Sequence, residues 1–396
     1  MTGPARPGTF YPDADAVDEK DHDRMLPALF TPLQLGGLTL PNRIVVAPMC
    51  QYSAESGRAT DWHLLHLGSL AVGGAGLLML EATAVEPDGR ITHQDLGLYD
   101  DACEQALARI VPALRRYGTT PALGLQLAHA GRKASVHRPW EGGKPLGPAD
   151  SAWQTVAPSA LPFGRGYPVP AALDAAGLAR IKACFVDTAK RAARLGFDVL
   201  ELHGAHGYLL HEFLSPIGNR RDDAYGGTLE KRQRFPLEVA EAVRAVWPRD
   251  RVLGIRVSAT DWTPEGQTIE DTIAFLKALE PIGLDYVCVS SGGIAPGIQI
   301  PVGPGYQVKL AERIKAETGL VTRAVGMIVD PHQAEAIIAQ GQADLVALAR
   351  GFLDDARWGW HAAGALGVEA SLYPPQYERS APAQWPGYTL RPGAGG

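Results

Sequence analysis

Eight short apolar runs, each followed by a stretch of helix length, constrain this chain more than any other feature. The runs are Arg43 to Ala47, Leu77 to Thr83, Ala122 to Leu127, Val199 to Leu202, Val252 to Ser258, Tyr286 to Ser290, Val321 to Val325 and Leu345 to Ala349. Between them lie patterned segments at Asp61 to Val72, Asp101 to Tyr117, Ala175 to Leu195, Thr228 to Val246, Thr268 to Leu279, Tyr306 to Glu317 and Pro331 to Gln340, and a last helix is expected after Asp354. The runs lack polar alternation, as parallel strands covered on both faces must. A doubly wound open sheet competes with a closed barrel here. It would carry a Gly-rich turn after its first strand, where this chain reads Pro48-Met49-Cys50-Gln51-Tyr52. Eight strand–helix units predict an α/β chain folded as a (β/α)8 barrel of the TIM type.

The remaining segments are expected to decorate that barrel. Two apolar patches around Gly36-Gly37, within Leu29 to Leu40, read as a hairpin able to plug its lower end. One connection breaks the rhythm: residues 131–173, rich in Gly, Pro and Trp, follow the third strand and read as a lid over the strands' carboxyl ends. Residues 1–27 read as a disordered acidic tail, 28–366 as the barrel, and 367–396 as a C-terminal extension.

Composition narrows the class of function. A formal net charge of −6 argues against nucleic acid as a partner, because phosphate binding needs a basic surface. No apolar run approaches the roughly 18 residues of a membrane span, and the N-terminus lacks a basic-then-apolar leader. The four cysteines, Cys50, Cys103, Cys184 and Cys288, form no CxxC pair, which points to the reducing cytoplasm rather than a disulfide or iron–sulfur framework.

In a barrel the polar groups at strand ends converge on one site. In chain order they are Cys50 and Tyr52, Glu81 and Thr83, Gln126, His129 and Arg132-Lys133, then His203, His206 and Tyr208, Arg256, Ser290-Ser291, Gly326, and Arg350-Gly351. Two imidazoles three residues apart, with a phenol two further on, suit a reaction in which charge builds on a carbonyl oxygen while a neighbouring carbon is protonated. Zinc binding and a purely structural role are the alternatives. An Arg after the eighth strand would repel a cation, so metal is not expected. Gly326 and Arg350 follow strands seven and eight, where barrels commonly hold a phosphate. No dinucleotide fingerprint is present, which favours a mononucleotide cofactor.

With these residues set out, the chain resembles the Old Yellow Enzyme family of FMN-dependent ene-reductases, in particular its thermophilic-like, class III bacterial branch. The resemblance runs from about Leu29 to Arg379. It rests on Pro41-Asn42-Arg43-Ile44-Val45, Pro48 to Ser53, Glu81 to Val85, Gln126 to Lys133, His203 to Tyr208, Phe213-Leu214-Ser215-Pro216, Asn219 to Gly227, Arg256 to Ala259 and Ala324 to Ile328, all in the family's order.

The resemblance implies that Ala47, Pro48, Met49, Cys50, Ala82 and Gln126 line the isoalloxazine of FMN. Arg256 would lie at its pyrimidine end, and Gly326, Ala349 and Arg350 at its phosphate. His203 and His206, with Tyr52, would bind the substrate's activating oxygen, and Tyr208 would donate the proton. NADPH or NADH would be the reductant and enone-type small molecules the substrates. Pro375-Gln376-Tyr377-Glu378-Arg379 matches a segment in which the Arg reaches a neighbouring subunit's active site, implying a homodimer or a tetramer of dimers. Two departures stand out: the lid is longer than in many relatives, and the chain continues past Arg379. A dienoyl-CoA-reductase-like FMN barrel and a non-catalytic flavin-binding protein are the alternative functions. The first would need clustered cysteines for its iron–sulfur domain.

Overall fold

The structure, a computed structural model, describes residues 26–120, 122–368 and 372–390. The expected tail therefore lies outside the described residues except for its last two positions, as do the six residues that end the chain.

The eight strands form and close on one another. They are Ile44–Val46 (β1), Leu77–Ala84 (β2), Ala122–Ala128 (β3), Val199–Gly204 (β4), Val252–Ser258 (β5), Tyr286–Ser290 (β6), Val321–Val325 (β7) and Leu345–Leu348 (β8). Each pairs in parallel with the next, and β8 pairs with β1. Helices Asp61–Ala71 (α1), Asp101–Tyr117 (α2), Ala175–Leu195 (α3), Leu229–Val246 (α4), Ile269–Leu279 (α5), Val308–Glu317 (α6), Pro331–Ala339 (α7) and Trp358–Ala365 (α8) complete the units. Side chains supply the starts of several: Asp100, Asp174, Thr268 and Asp330 accept from backbone N–H groups of the first turn of α2, α3, α5 and α7. None of these helices is long and apolar enough to cross a membrane.

A recurrent device sets the strand starts. Asp198, Asp285 and Asp344 immediately precede β4, β6 and β8. Each carboxylate accepts from a backbone N–H of the preceding strand, at Leu123, Leu253 and Thr322, over 2.9, 2.8 and 2.9 Å. The register of neighbouring strands is thereby pinned at the lower end of the barrel.

Two apolar cores result. Outward strand residues pack against the helices, while Leu77, Met79, Ala122, Val199, Val252 and Leu345 fill the lower interior. Leu35 and Leu40 of the hairpin (strands Leu33–Leu35 and Leu38–Leu40) belong to that inner core, so the hairpin closes the lower end as expected. Gly254 leaves the room that the Tyr286 ring takes: a Cβ there would lie 2.1 Å from the ring.

Above this apolar layer the interior turns polar. Glu201 on β4, fully buried, accepts from Gln126 Nε2 at 2.7 Å and from the Tyr286 hydroxyl at 2.8 Å, and it pairs with the equally buried Arg323 of β7. The Arg323 guanidinium also lies 5.1 Å from the Tyr286 ring centroid. Register explains the first contact, since Gln126 stands directly opposite Glu201.

The structure also adds elements that periodicity does not reveal. A short helix, Leu209–Leu214, follows β4, and another, Arg350–Asp354, precedes α8, which begins only at Trp358. The segment between β3 and α3 is built of single 3-10 turns and one small parallel ladder, Val156–Ala157 with Ala171–Ala172.

Replacing Arg323 with Met would leave the Glu201 charge buried and unpaired, an error that typically costs about 3–5 kcal/mol. Urea unfolding should show that loss for Arg323→Met. The Glu201→Gln/Arg323→Met double variant should recover part of it, because no charge is then left alone. A single variant as stable as the parent would show that the pair does not carry the interior.

Candidate active site

The turn after β4 is the centre of the site. His206 adopts φ +59° and Gly207 φ +73°, a left-handed backbone that a β-carbon disfavours, so the surroundings must hold His206 there. Four contacts do so. The His206 N–H donates to Ser258 Oγ at 3.0 Å, and Lys133 Nζ donates to the His206 carbonyl at 2.8 Å. The Gly207 N–H donates to His211 Nδ1 at 2.8 Å, and His211 is itself tied to buried Asp261 at 3.1 Å. Position 207 admits only glycine, because a Cβ would lie 2.2 Å from the Gly293 carbonyl oxygen.

Held this way, His203 Nε2 and His206 Nδ1 face one another at 3.4 Å. One oxygen about 2.9 Å from both nitrogens completes a triangle. His203 Nδ1 accepts from the Ala205 N–H at 3.3 Å, so its ring proton belongs on Nε2, facing that point. His206 Nε2 lies 2.7 Å from Ser290 Oγ. When the Ser290 hydroxyl donates to Nε2, the His206 proton moves to Nδ1 and both rings donate to the same oxygen. Gln307 Oε1 competes for that hydroxyl proton at 3.3 Å but already accepts from Ser291 at 2.6 Å. With its proton donated to Nε2, Ser290 would set that tautomer, a role its place at a strand end does not disclose.

Burial and charge together keep both rings neutral. Burial first, and then the Arg256 guanidinium, hold both imidazoles well below their usual range. Arg256 is opposite His203 in the β4–β5 register. Tyr208 packs edge-on against His203 with centroids 4.8 Å apart, and the Lys133 ammonium lies 5.1 Å from the Tyr208 ring centroid. Burial pushes the Tyr208 phenol well above its usual value, with Cys50, Tyr52 and Asp95 adding to the shift. It remains a protonated donor. Burial lowers Lys133 to about 8.

The loop after β1 faces this group. A bulge in β2 at Glu81 breaks the pairing with β3 between Leu80 and Ala82. Glu81 accepts from the Gln51 N–H at 2.9 Å and lies 3.3 Å from His63 of α1. Loop residue Tyr52 stands at φ +50° and meets the lid's Trp140 edge-on at 5.8 Å. Burial, then Asp95 and Glu81, keep the Cys50 thiol protonated. The lid reaches the other strand ends as well: Arg132 donates to the Ile294 carbonyl at 2.8 Å, and Lys133 spans to the Gly293 carbonyl at 3.3 Å.

The residues expected to hold a cofactor surround the same mouth. Ala47 and the Pro48–Cys50 segment follow β1, Ala82 pairs with Gln126 across β2 and β3, Gly326 follows β7, and Ala349-Arg350 follow β8. Several observations fit an anionic group with hydrogen-bonding edges. Arg256 has a buried Nε without a hydrogen-bond partner and no ion pair among the described residues. Gly326 stands at φ +130°, where a Cβ would press on Gln307 and Tyr306 at 2.9 and 3.0 Å, so a bare backbone edge faces the mouth. Gln126 spends its Nε2 on Glu201, which turns the amide so that Oε1 is left without a partner among the described residues. Arg350 is exposed and unpaired among the described residues, as a phosphate contact requires.

Arg379 is the one predicted site residue that does not join the others. It is exposed on the turn Pro375–Ser380. That tail is anchored by buried Leu372 beside Gly74, which lies before β2 at the end of the barrel opposite the mouth, and by Tyr377 against Trp360 at 6.0 Å.

Comparison with known proteins agrees with this geometry. Residues 28–366 match the NADH:flavin oxidoreductase / NADH oxidase family. An NADPH dehydrogenase of Geobacillus thermodenitrificans is 44% identical over 353 residues, covering 89% of this chain and 98% of the relative. An NADPH dehydrogenase of Bacillus cytotoxicus is 42% identical over 354 residues, covering 89% and 96%. Among solved structures, morphinone reductase superposes with a TM-score of 0.72 at 30% identity, over 88% of this chain and 91% of that one. Morphinone reductase in complex with tetrahydroNAD superposes with a TM-score of 0.71 at 28% identity, over 87% and 92%. Strand-end chemistry, barrel closure and relatedness along nearly the whole barrel lead to one assignment: the chain belongs to the Old Yellow Enzyme family of NAD(P)H-dependent flavin oxidoreductases.

Proposed function

We propose that the protein is an FMN-dependent ene-reductase that reduces the activated C=C bond of α,β-unsaturated carbonyl compounds, with NADPH or NADH as the reductant, in a ping-pong cycle. The observation that carries this reading is the 3.4 Å pairing of His203 Nε2 with His206 Nδ1 beside a neutral phenol. When bound, FMN supplies a hydride that it has first received from the nicotinamide. Ala47 to Cys50, Ala82 and Gln126 would hold its ring, Arg256 its pyrimidine end, and Gly326, Ala349 and Arg350 its phosphate.

The chain's own residues do the rest. The two imidazole N–H groups bind the substrate's carbonyl oxygen and stabilise the charge that builds there. Donors of this kind are typically worth about 2.7–4 kcal/mol each in oxyanion holes. Neutral rings suit the task, since a neutral donor pair polarises the carbonyl without first protonating it. Tyr208 then gives its phenolic proton to the α-carbon. Tyr52 and Trp140, edge-on at 5.8 Å, would form the wall of the site on the side of the long β3–α3 segment. Two structurally similar proteins, TcOYE with pHBA and morphinone reductase with tetrahydroNAD, are themselves known as small-molecule complexes. They support a site open to small organic ligands.

The test separates the half-reactions by stopped flow, in protein whose flavin is identified as FMN after release by denaturation. Tyr208→Phe should slow alkene reduction by about a hundredfold, as loss of a general acid commonly does, and change flavin reduction far less. Equal slowing of both half-reactions would make Tyr208 a structural residue.

We further propose that Arg379 acts across a subunit interface, in a homodimer or a tetramer of dimers. Its exposure and the tail's anchoring at the far end of its own barrel support that reading. A planar guanidinium keeps its charge when partly buried by a neighbour. Truncation before Tyr373 should weaken self-association and raise the apparent KM for nicotinamide or alkene. An unchanged elution volume together with full kcat/KM would contradict it.

A further inference from the structure

Asp95 is a buried carboxylate that the mechanism above leaves unused. It lies in the loop between β2 and α2 and is 3% exposed. The Ile91 and Thr92 N–H groups donate to it at 2.8 and 3.1 Å and the Thr92 hydroxyl at 2.8 Å, and no cation pairs with it among the described residues. The titratable groups around it are Cys50 and Tyr52 from the loop after β1, Glu81 from β2 and Tyr208 from the turn after β4. Burial outweighs the three donors, and Glu81 adds to it, so the carboxyl is pushed up to about 7.

Asp95 shares a cavity with Tyr208. The other walls are small, Ala82, Ala84, Ala128 and Ala130 among them, and the space open to a water molecule's centre is about 10 Å³. That is room for about one water, and Asp95 and Tyr208 are the two residues with polar side chains in its lining. The charges also argue for a link. Asp95 as an anion raises the Tyr208 phenol, so a phenolate beside an ionised Asp95 is doubly unfavourable.

We propose that Asp95 is the proton reservoir for Tyr208, acting through one water in this cavity in a single chain of transfers. As the Tyr208 O–H bond breaks and its proton forms the new C–H bond at the α-carbon, the water gives a proton to the Tyr208 oxygen and takes one from Asp95. Tyr208 ends as a phenol, the water is unchanged, and Asp95 ends as a carboxylate that solvent reprotonates before the next turnover. The proposal rests on Tyr208 being the proton donor. It explains why a small-walled, water-sized space is kept beside a buried carboxyl and the Tyr208 side chain.

The experiment follows the alkene half-reaction of the FMN-loaded enzyme by stopped flow as a function of pH, for the parent, Asp95→Asn, Tyr208→Phe and the double variant. In the parent, the rate should fall as pH rises through about 7, where Asp95 loses its proton. Asp95→Asn should remove that limb and slow the alkene half-reaction about tenfold more than the flavin half-reaction, a modest share of what general acids contribute. The double variant should be no slower than Tyr208→Phe alone. An Asp95→Asn enzyme with the parent's rate and pH limb overturns the relay, as does a double variant slowed by the product of the two single effects. A Tyr208→Phe enzyme with no selective defect instead overturns the donor reading itself. Asn places an amide where the Ile91 N–H needs an acceptor and can disturb the loop, so a proton inventory on the parent in H2O–D2O mixtures stands beside it. Several protons in flight give a curved plot, and a straight line overturns the relay whatever becomes of the variant.

Discussion

Glu201 sits where the apolar lower half of the barrel meets its chemical upper half, and the site above depends on it. Through Gln126, Tyr286 and Arg323 this one carboxylate joins β3, β4, β6 and β7 across the interior. A charge there is tolerable only because every partner is in place; left alone it would cost several kcal/mol. Two consequences reach the mouth. Gln126 has its amide orientation fixed from below, which leaves its oxygen without a partner among the described residues. His203, two residues on from Glu201 along β4, inherits the same inward face and a strand that these contacts keep from shifting.

The next layer is strained rather than merely packed. His206 is held in a left-handed conformation by Ser258, Lys133 and the His211–Asp261 pair. That strain brings Nδ1 of His206 to Nε2 of His203. Electrostatics completes the arrangement. The same burial that keeps the imidazoles neutral keeps the phenol protonated, so one environment holds three neutral donors side by side. Arg256 reinforces the first effect from the neighbouring strand and itself carries no ion pair among the described residues.

Much of this is legible in the sequence, for a physical reason. A parallel strand buried on both faces must be an unbroken apolar run, and the residue that follows it must lie at the mouth. The eight strands and the placing of Cys50, Gln126, His203, Arg256, Gly326 and Arg350 at one end follow from that rule, while the hairpin plug is announced by two apolar patches around Gly36-Gly37. What escapes it depends on register and on which nitrogen carries a proton. In the sequence Ser290 is only a strand-end hydroxyl; its 2.7 Å contact with His206 gives it a role. Glu201 reads as part of an apolar run, because its three partners lie 75 to 122 residues away in sequence. The bulge that turns Glu81 toward the β1 loop inserts one residue without any Gly or Pro to mark it. Asp95 lies in a loop whose fold back over Tyr208 no periodicity announces. Arg379 is placed by resemblance, and its tail is anchored away from the mouth beside Gly74 and Trp360.

The proposed activation of a carbonyl by the imidazole pair, with hydride and proton adding across the neighbouring C=C bond, is tested most directly by following two isotopes. Cyclohexenone would be reduced once with NADPH carrying deuterium at the transferred position and once with ordinary NADPH in D2O, and the product examined by NMR. Deuterium should appear at the β-carbon in the first case and at the α-carbon in the second, with the carbonyl intact. Deuterium on the carbonyl carbon, or NADPH oxidised by oxygen while the alkene stays untouched, would contradict it.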